Sequence, residues 1–341
     1  MSTQKPLLSV RDLKVYFHLD EGIVKSVDGV SFDAYQGQVV GIVGESGCGK
    51  SVTMKAILRI VEPPGKIMNG QVLLSKRDNP NEYWDLTAMN EKGNEIRAIR
   101  GGEIALIPQE PMAAFSPVHT IGNQIIEAIL LHSKVDKKEA REICIRALAS
   151  VGMSMPEKRV DSYSWQLSGG LRQRAIIAMA IAGNPRLLIA DEPTTAIDVT
   201  TQAQILRLLQ DLQQEREMSI LFITHDLGVI AQMAQFVVVM YLGHVMEKGP
   251  VDAIFHNPKH PYTQALLRSI PSAQKTTKVK LPTISGSIPH PFNKPKGCPF
   301  HPRCTHAIKG KCNVNLPSEF IVGDQQFVSC YLYGENEEIA K

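Results

Sequence analysis

Residues 44–51 read Gly-Glu-Ser-Gly-Cys-Gly-Lys-Ser, an order of residue types suited to holding a row of phosphates. Glycines let successive backbone N–H groups turn inward, and the start of a following helix adds partial positive charge. At this spacing Lys50 reaches the β- and γ-phosphates and the Ser51 hydroxyl ligates Mg²⁺. The candidate nucleotide-binding residues are therefore Gly44, Glu45, Ser46, Gly47, Cys48, Gly49, Lys50, Ser51 and Val52. Cys48 is expected to contribute only its backbone. A chance glycine turn would spell similar letters. Here, though, the run follows the apolar Val39–Val43 and opens the helix-like Ser51–Val61, which is the context this chemistry needs.

Two later segments carry complementary chemistry. Leu187–Pro193 (LLIADEP) is an apolar strand ending in adjacent carboxylates. Asp191 suits the Mg²⁺ shell through water, and Glu192 suits polarising an attacking water. Alone, Asp-Glu-Pro would pass for a surface strand end; downstream of a phosphate loop it is informative. Leu167–Arg174 (LSGGLRQR) places Ser168 where a helix N-cap belongs. Ser168, Gly169 and Gly170 also make a second anion cradle, because exposed N–H groups and the helix dipole favour phosphate. One loop already serves the nucleotide, so the second implies a phosphate bound from the opposite side, with ATP between two subunits.

The elements that must position these groups alternate. Leu8–Phe17, Ser31–Ala34, Val39–Val43, Ile104–Ile107, Leu187–Ala190 and Ile220–Thr224 read as strands. Gly122–His132, Lys137–Val151 and Thr201–Arg216 have helical spacing, so the pattern implies an α/β fold with a largely parallel sheet. The composition is globular, with 43% apolar and 21% charged residues. A net charge of +3 from 37 basic and 34 acidic residues is too balanced for a dedicated nucleic-acid binder. No apolar stretch approaches the ~20 residues of a membrane span, and the N-terminus lacks a secretion-signal pattern. A soluble, cytoplasmic chain is expected, reaching any membrane through a partner.

These residues resemble the ATP-binding subunits of ABC transporters over roughly residues 7–255. The phosphate loop, the LSGG signature, the Asp-Glu-Pro strand end, Gln109 in IALIPQEP and His225 in ITHD occur in that family's order. The resemblance implies a P-loop ATPase domain with a mixed sheet core and a helical subdomain at about 110–175. It implies that Gln109 approaches the Mg²⁺ and attacking water and links nucleotide state to the membrane partner. It also implies that His225 contacts the γ-phosphate, and that Ser168, Gly169 and Gly170 act on ATP held by a facing subunit. Thr194–Asp198 matches the D-loop, and Asp198 joins the candidate nucleotide contacts. Phe17, or Tyr16 beside it, falls where the family stacks an aromatic on adenine. Leu171 replaces the usual signature glutamine, and the D-loop has Thr and Ile where Ser and Leu are commoner; neither removes a phosphate ligand.

From about residue 256 the composition changes, giving an expected extension over 256–341 after a nucleotide-binding domain at 1–255. It holds 10 of the 21 prolines, and 11 lysines and arginines against 5 acidic residues. His260-Pro261-Tyr262 within HNPKHPYTQALLRSIP resembles the C-terminal extension of oligopeptide and dipeptide permease ATPases. Tyr262 is expected to be packed in a core. Cys298, Cys304, Cys312 and Cys330 could close one Cys₄ metal site, for zinc or for iron–sulfur. Relatives with a 4Fe–4S cluster in this extension favour iron, as a staple. The resemblance further implies import of di- or oligopeptides, with nickel complexes or glutathione as related cargo. The partners it implies are a paralogous ATPase (or a second copy), two multi-span permeases and an extracytoplasmic peptide-binding protein, placing the chain at the cytoplasmic face of the membrane. A soluble ABC ATPase acting on DNA ends or ribosomes is the rival. Against it, no long coiled-coil insertion separates Ser51 from Leu167, and only one cassette is present.

Overall fold

A computed structural model describes residues 5–110, 114–195, 197–269, 284 and 286–334. In chain order the strands are β1 (Leu8–Leu19), β2 (Gly22–Ala34), β3 (Val39–Val43), β4 (Gly65–Ser75), β5 (Tyr83–Asp85) and β6 (Ile104–Ile107). They continue as β7 (Leu187–Asp191), β8 (Ser219–Ile223), β9 (Phe236–Tyr241), β10 (His244–Pro250), β11 (Phe320–Gly323) and β12 (Gln326–Val328). The helices used below are α1 (Lys50–Ile57), α2 (Ile121–His132), α3 (Lys137–Ser150), α4 (Gly169–Ala182), α5 (Val199–Glu215), α6 (Leu227–Met233), α7 (Val251–His256) and α8 (Pro261–Arg268). The chain forms two compact units, one of Met1–Ala34, Val39–Ala88 and Thr224–Lys341, the other of Tyr35–Gln38 and Met89–Ile223.

In the first unit β2, β1, β4 and β5 form an antiparallel sheet in that order. A second run is ordered β11-β12-β10-β9-β3. In it only the β3–β9 pair is parallel, with Val40 opposite Phe236 and Val43 opposite Val239. The largely parallel arrangement expected from strand–helix alternation therefore fails here. Short turns are the cause: β9 and β10 are joined by Leu242 and Gly243, both at positive φ (43° and 82°), which suits a two-residue hairpin. Every residue of β3 is buried, and the preference of Val and Ile for a pleat with both faces covered explains the strand.

The second unit keeps to the expected pattern. β6, β7 and β8 run parallel, with Ile104 opposite Leu187 and Leu187 opposite Ser219. Helices α2 and α3 are capped by Thr120, which accepts the Asn123 N–H, and by Asp136, which accepts the Glu139 N–H. These are ordinary side-chain N-caps, each worth about 1 kcal/mol.

Helix α1 ends four residues before the expected Val61. Arg59, at φ 56°, closes it: Arg59 N–H bonds the Ala56 carbonyl and Ile60 N–H bonds the Lys55 carbonyl. Glycine normally marks this C-terminal cap, and an arginine in the left-handed region gives no such signal in the letters.

The C-terminal residues are tied to β10 by a buried carboxylate. Glu247 is fully buried; its Oε1 accepts from Lys259 N (2.8 Å) and Gln326 Nε2 (2.8 Å), its Oε2 from His260 N (2.9 Å). His260 caps α8 in turn, its Nδ1 accepting the Tyr262 N–H at 3.0 Å. Burial lowers the His260 imidazole to about 3. Between that value and the ordinary ~6.5, an unfolded chain takes up a proton that the folded chain refuses, so stability falls as pH drops below about 6.5. Thermal melts between about pH 8 and about pH 4.5 should show this as an acid slope, at most about 1.4 kcal/mol per pH unit from this residue. His260→Asn keeps a capping acceptor and should remove that share of the slope. An unchanged slope would reject the assignment.

Candidate functional site

The phosphate loop begins where β3 ends and finishes as the first turn of α1. Its shape demands glycine at two places. Gly44 (φ 151°) and Gly49 (φ 99°) lie in the left-handed half of backbone space, and a Cβ there would collide with the carbonyls of Met240 and Ser26 respectively. At Gly47 (φ 77°) a Cβ would meet nothing within 4 Å, so the loop leaves open space on that side. Ser46 and Gly47 are exposed, whereas Lys50 is only 7% exposed. The Lys50 ammonium donates to the Gly44 carbonyl at 2.7 Å and the Glu45 carbonyl at 3.1 Å. A glycine turn with a buried lysine ammonium held against its carbonyls carries the cation a triphosphate requires. Ser51 and Val52 are half-buried on the first turn of α1.

Cys48 has its carbonyl taken by the Gly243 N–H (2.9 Å), and burial pushes its thiol up. A thiol held neutral in this way is not a reactive thiolate.

Tyr16 and Phe17 are committed differently. Tyr16 donates its hydroxyl to Asp28 (2.8 Å) and carries the Lys25 ammonium 5.2 Å from its ring centroid. Burial and the Asp28 carboxylate push its phenol up to about 12. The Phe17 ring lies over Gly65, where a side chain would clash with it. His225 is exposed, one residue beyond Thr224, and the cap of α6 is its neighbour Asp226, which accepts from Gly228 N and Val229 N.

The second unit holds the carboxylate pair. Asp191 closes β7, and Glu192 follows at φ 47° with its N–H on the Ile223 carbonyl (2.9 Å). The Glu192 Oε2 accepts from Gln109 Nε2 (3.2 Å) and from Thr195 Oγ1 (3.0 Å). Residues 83 and 3 positions away thus converge on one carboxylate oxygen. A left-handed glutamate is costly, and strain of this kind concentrates at functional positions. Spacing alone assigns Thr195 no contact; its place three residues past Glu192, in the D-loop, is the available signal.

Ser168 is the N-cap of α4, its Oγ accepting the Leu171 N–H at 3.4 Å. Ser168 and Gly169 are exposed, and a Cβ on Gly169 would meet nothing within 4 Å. At Gly170 a Cβ would press on Thr201 Cγ2 at 2.7 Å. Helix capping and an open N-terminal cradle coexist at this turn. Asp198 is spent on its own helix: it caps α5 through Thr201 N (2.9 Å) and Thr201 Oγ1 (2.7 Å), and these bonds lower its carboxyl.

The expected Cys₄ site at the four C-terminal cysteines finds no support in the structure. Among the described residues no three His, Cys, Asp or Glu side chains come together as a metal-holding group. Cys298, Cys312 and Cys330 are buried and Cys304 is half-buried. Burial first, and neighbouring thiols second, push Cys298 up to about 12 and Cys330 to about 11. The Cys312 sulfur accepts the Ile308 N–H at 3.3 Å, and the Cys312 carbonyl takes the Cys298 N–H at 2.8 Å.

Nearby, Tyr262, Phe300 and Tyr241 form an aromatic cluster with centroids 4.7–5.4 Å apart. Tyr262 is buried, as its place in a core segment suggests, and its hydroxyl also accepts the Glu45 N–H at 2.9 Å. Arg303 meets both Glu45 carboxylate oxygens. Neither contact can be read from spacing, since both bridge more than 200 positions. No helix among the described residues is long and apolar enough to cross a membrane.

Residues 27–195 match the family model "ABC transporter", and residues 246–312 match "Oligopeptide/dipeptide transporter, C-terminal region". The chain is 47% identical over 330 residues to the oligopeptide transport ATP-binding protein AppD of Bacillus subtilis (strain 168), covering 96% of this chain and 97% of that protein. It is 44% identical over 325 residues to the dipeptide transport ATP-binding protein DppD of Escherichia coli (strain K12), covering 95% and 96%. Among solved structures it is similar to dimeric MJ0796, a bacterial ABC transporter cassette, with TM-score 0.61 and 25% identity over 72% of this chain and 98% of that one.

Proposed function

The chain belongs to the ABC transporter family, in its oligopeptide/dipeptide branch, and we propose that it is the ATP-hydrolysing subunit that powers uptake of di- or oligopeptides. The observation carrying this reading is the pairing, on one chain, of a complete phosphate-loop cassette with the peptide-transporter C-terminal region. Both regions align through relatives named for peptide transport.

In this reading the open loop from Gly44 to Ser51 takes the triphosphate, and Lys50 neutralises its β- and γ-oxygens. Bound Mg²⁺ supplies further charge neutralisation, and Ser51, Gln109 and Asp191 are the residues that would hold it. Glu192 polarises the attacking water, and Gln109 and Thr195 fix the carboxylate that does so. His225 contacts the γ-phosphate, and Tyr16 or Phe17 supports the adenine. Catalysis of this kind is mostly positioning and charge stabilisation.

The Ser168–Gly169–Gly170 turn, exposed at Ser168 and Gly169, serves ATP held by a facing ATPase, a paralogue or a second copy; the solved neighbour MJ0796 is itself dimeric. The reading divides the chain into a nucleotide-binding domain at 1–255 and an extension at 256–341. Two multi-span permeases anchor it at the cytoplasmic face of the membrane, and an extracytoplasmic binding protein delivers the cargo. It assigns no metal to the four cysteines.

Uptake of labelled dipeptides and longer peptides by cells lacking this chain tests the proposal. Uptake should fall to background and return with the wild-type chain. Unchanged peptide uptake alongside lost nickel or glutathione uptake would move the assignment to that cargo.

A further inference from the structure

The second residue of the phosphate loop is a glutamate, whose charge has the wrong sign for a site meant to hold a triphosphate. Both ends of Glu45 are restrained by the C-terminal residues. Its N–H donates to the Tyr262 hydroxyl at 2.9 Å, which takes that amide out of the inward-facing set. Its carboxylate is gripped by Arg303 through two parallel bonds, NH1 to Oε2 at 2.7 Å and NH2 to Oε1 at 3.0 Å.

Arg303 is itself deeply set. Its side chain is 4% exposed against 20% for Glu45, it donates to the Tyr241 hydroxyl at 3.2 Å, and its guanidinium lies 5.8 Å from the Tyr241 ring centroid and 6.0 Å from that of Phe300. A planar fork stacked on aromatic faces and paired with both carboxylate oxygens is a rigid arrangement that lysine cannot reproduce.

We propose that Arg303, with Tyr262, is a positioning residue for ATP: it draws the Glu45 carboxylate aside and cancels its charge, so that nucleotide affinity is set by a residue 258 positions downstream of the loop. This rests on the reading of residues 44–51 as the ATP-binding loop. Removing Arg303 leaves Glu45 with an uncompensated negative charge next to the incoming phosphates, and the loss falls on binding more than on turnover.

The test uses the full-length chain and measures ATP hydrolysis against Mg-ATP concentration for wild type, R303Q, E45Q and R303Q/E45Q. R303Q should raise KM about tenfold, with kcat within about twofold of wild type. The rise should shrink as salt screens the charge. In the E45Q background the same substitution should change KM by less than about threefold, because no charge remains to be exposed. A KM unaffected by R303Q overturns the proposal. So does an equal rise in both backgrounds, which would mark Arg303 as a structural staple only. Should R303Q be too unstable to assay, R303K serves: it keeps the charge without the fork and should give a smaller rise that depends on Glu45 in the same way, and a wild-type KM overturns the proposal. A wild-type chain that hydrolyses no ATP would instead sink the ATPase reading itself.

Discussion

Substituting Glu192 by glutamine should lower kcat for ATP hydrolysis by about 10²- to 10⁴-fold, the range associated with a positioned general base. Mg-ATP affinity should stay within a few-fold of wild type. The side chain keeps its size, but the amide can no longer draw a proton from water. The geometry sharpens the expectation, because Gln109 and Thr195 both donate to the same oxygen of Glu192. An amide nitrogen placed on that side would face two donors, so the glutamine should turn its oxygen toward them and present its NH₂ to the attacking water. Single-turnover hydrolysis with equilibrium binding of a fluorescent ATP analogue separates the two effects. A variant that still hydrolyses at more than a tenth of the wild-type rate would remove Glu192 from the reaction.

Lys50→Ala should fail at the other step. The ammonium is the buried cation across the base of the loop, tied to the Gly44 and Glu45 carbonyls until phosphate competes for it. A hydrogen bond to a charged group contributes about 1.5–3 kcal/mol, so Mg-ATP binding should weaken about 10- to 100-fold. Turnover is lost as well, because that charge also faces the transferring phosphoryl group. The contrast is diagnostic. In E192Q nucleotide stays bound and the cycle stalls; in K50A the nucleotide does not stay. If both variants bound Mg-ATP as tightly as wild type, residues 44–51 would not be the nucleotide site.

What could be read from the letters alone was the chemistry carried by contiguous residues. A glycine-rich turn after a buried strand, two carboxylates at a strand end and a serine opening a helix are each complete within about eight positions, and residues 39–51, 167–174 and 187–193 fold locally as that reading expects. Positions whose role depends on distant pairing were not legible. Arg303 sits among prolines and cysteines with no periodicity to show which way it faces, and its partner lies 258 residues earlier. Glu247 looks like one more charge in the VMEKG segment; only the strand pairing of β10 with β9 and β12 makes it a buried acceptor for three N–H groups.

The metal site expected at the four cysteines finds no support. Four thiols in a short segment satisfy the stoichiometry of a metal site, but stoichiometry does not place the sulfurs, and no metal-holding group is found among the described residues. The spacing predicts helix α1 past its true end because its terminating residue is Arg59 and not a glycine.

The parallel pairing of β3 with β9 has a consequence for biogenesis. Roughly 190 residues of chain lie between them, and at about 5–20 residues per second a ribosome needs on the order of 10–40 s to make that stretch. Throughout that interval the nascent VVGIV strand is without its β9 neighbour. Nucleotide cannot rescue such an intermediate by mass action, because the glycine turn it would grip is not yet backed by Met240. The nucleotide loop should therefore reach its final backing only once translation has passed Tyr241.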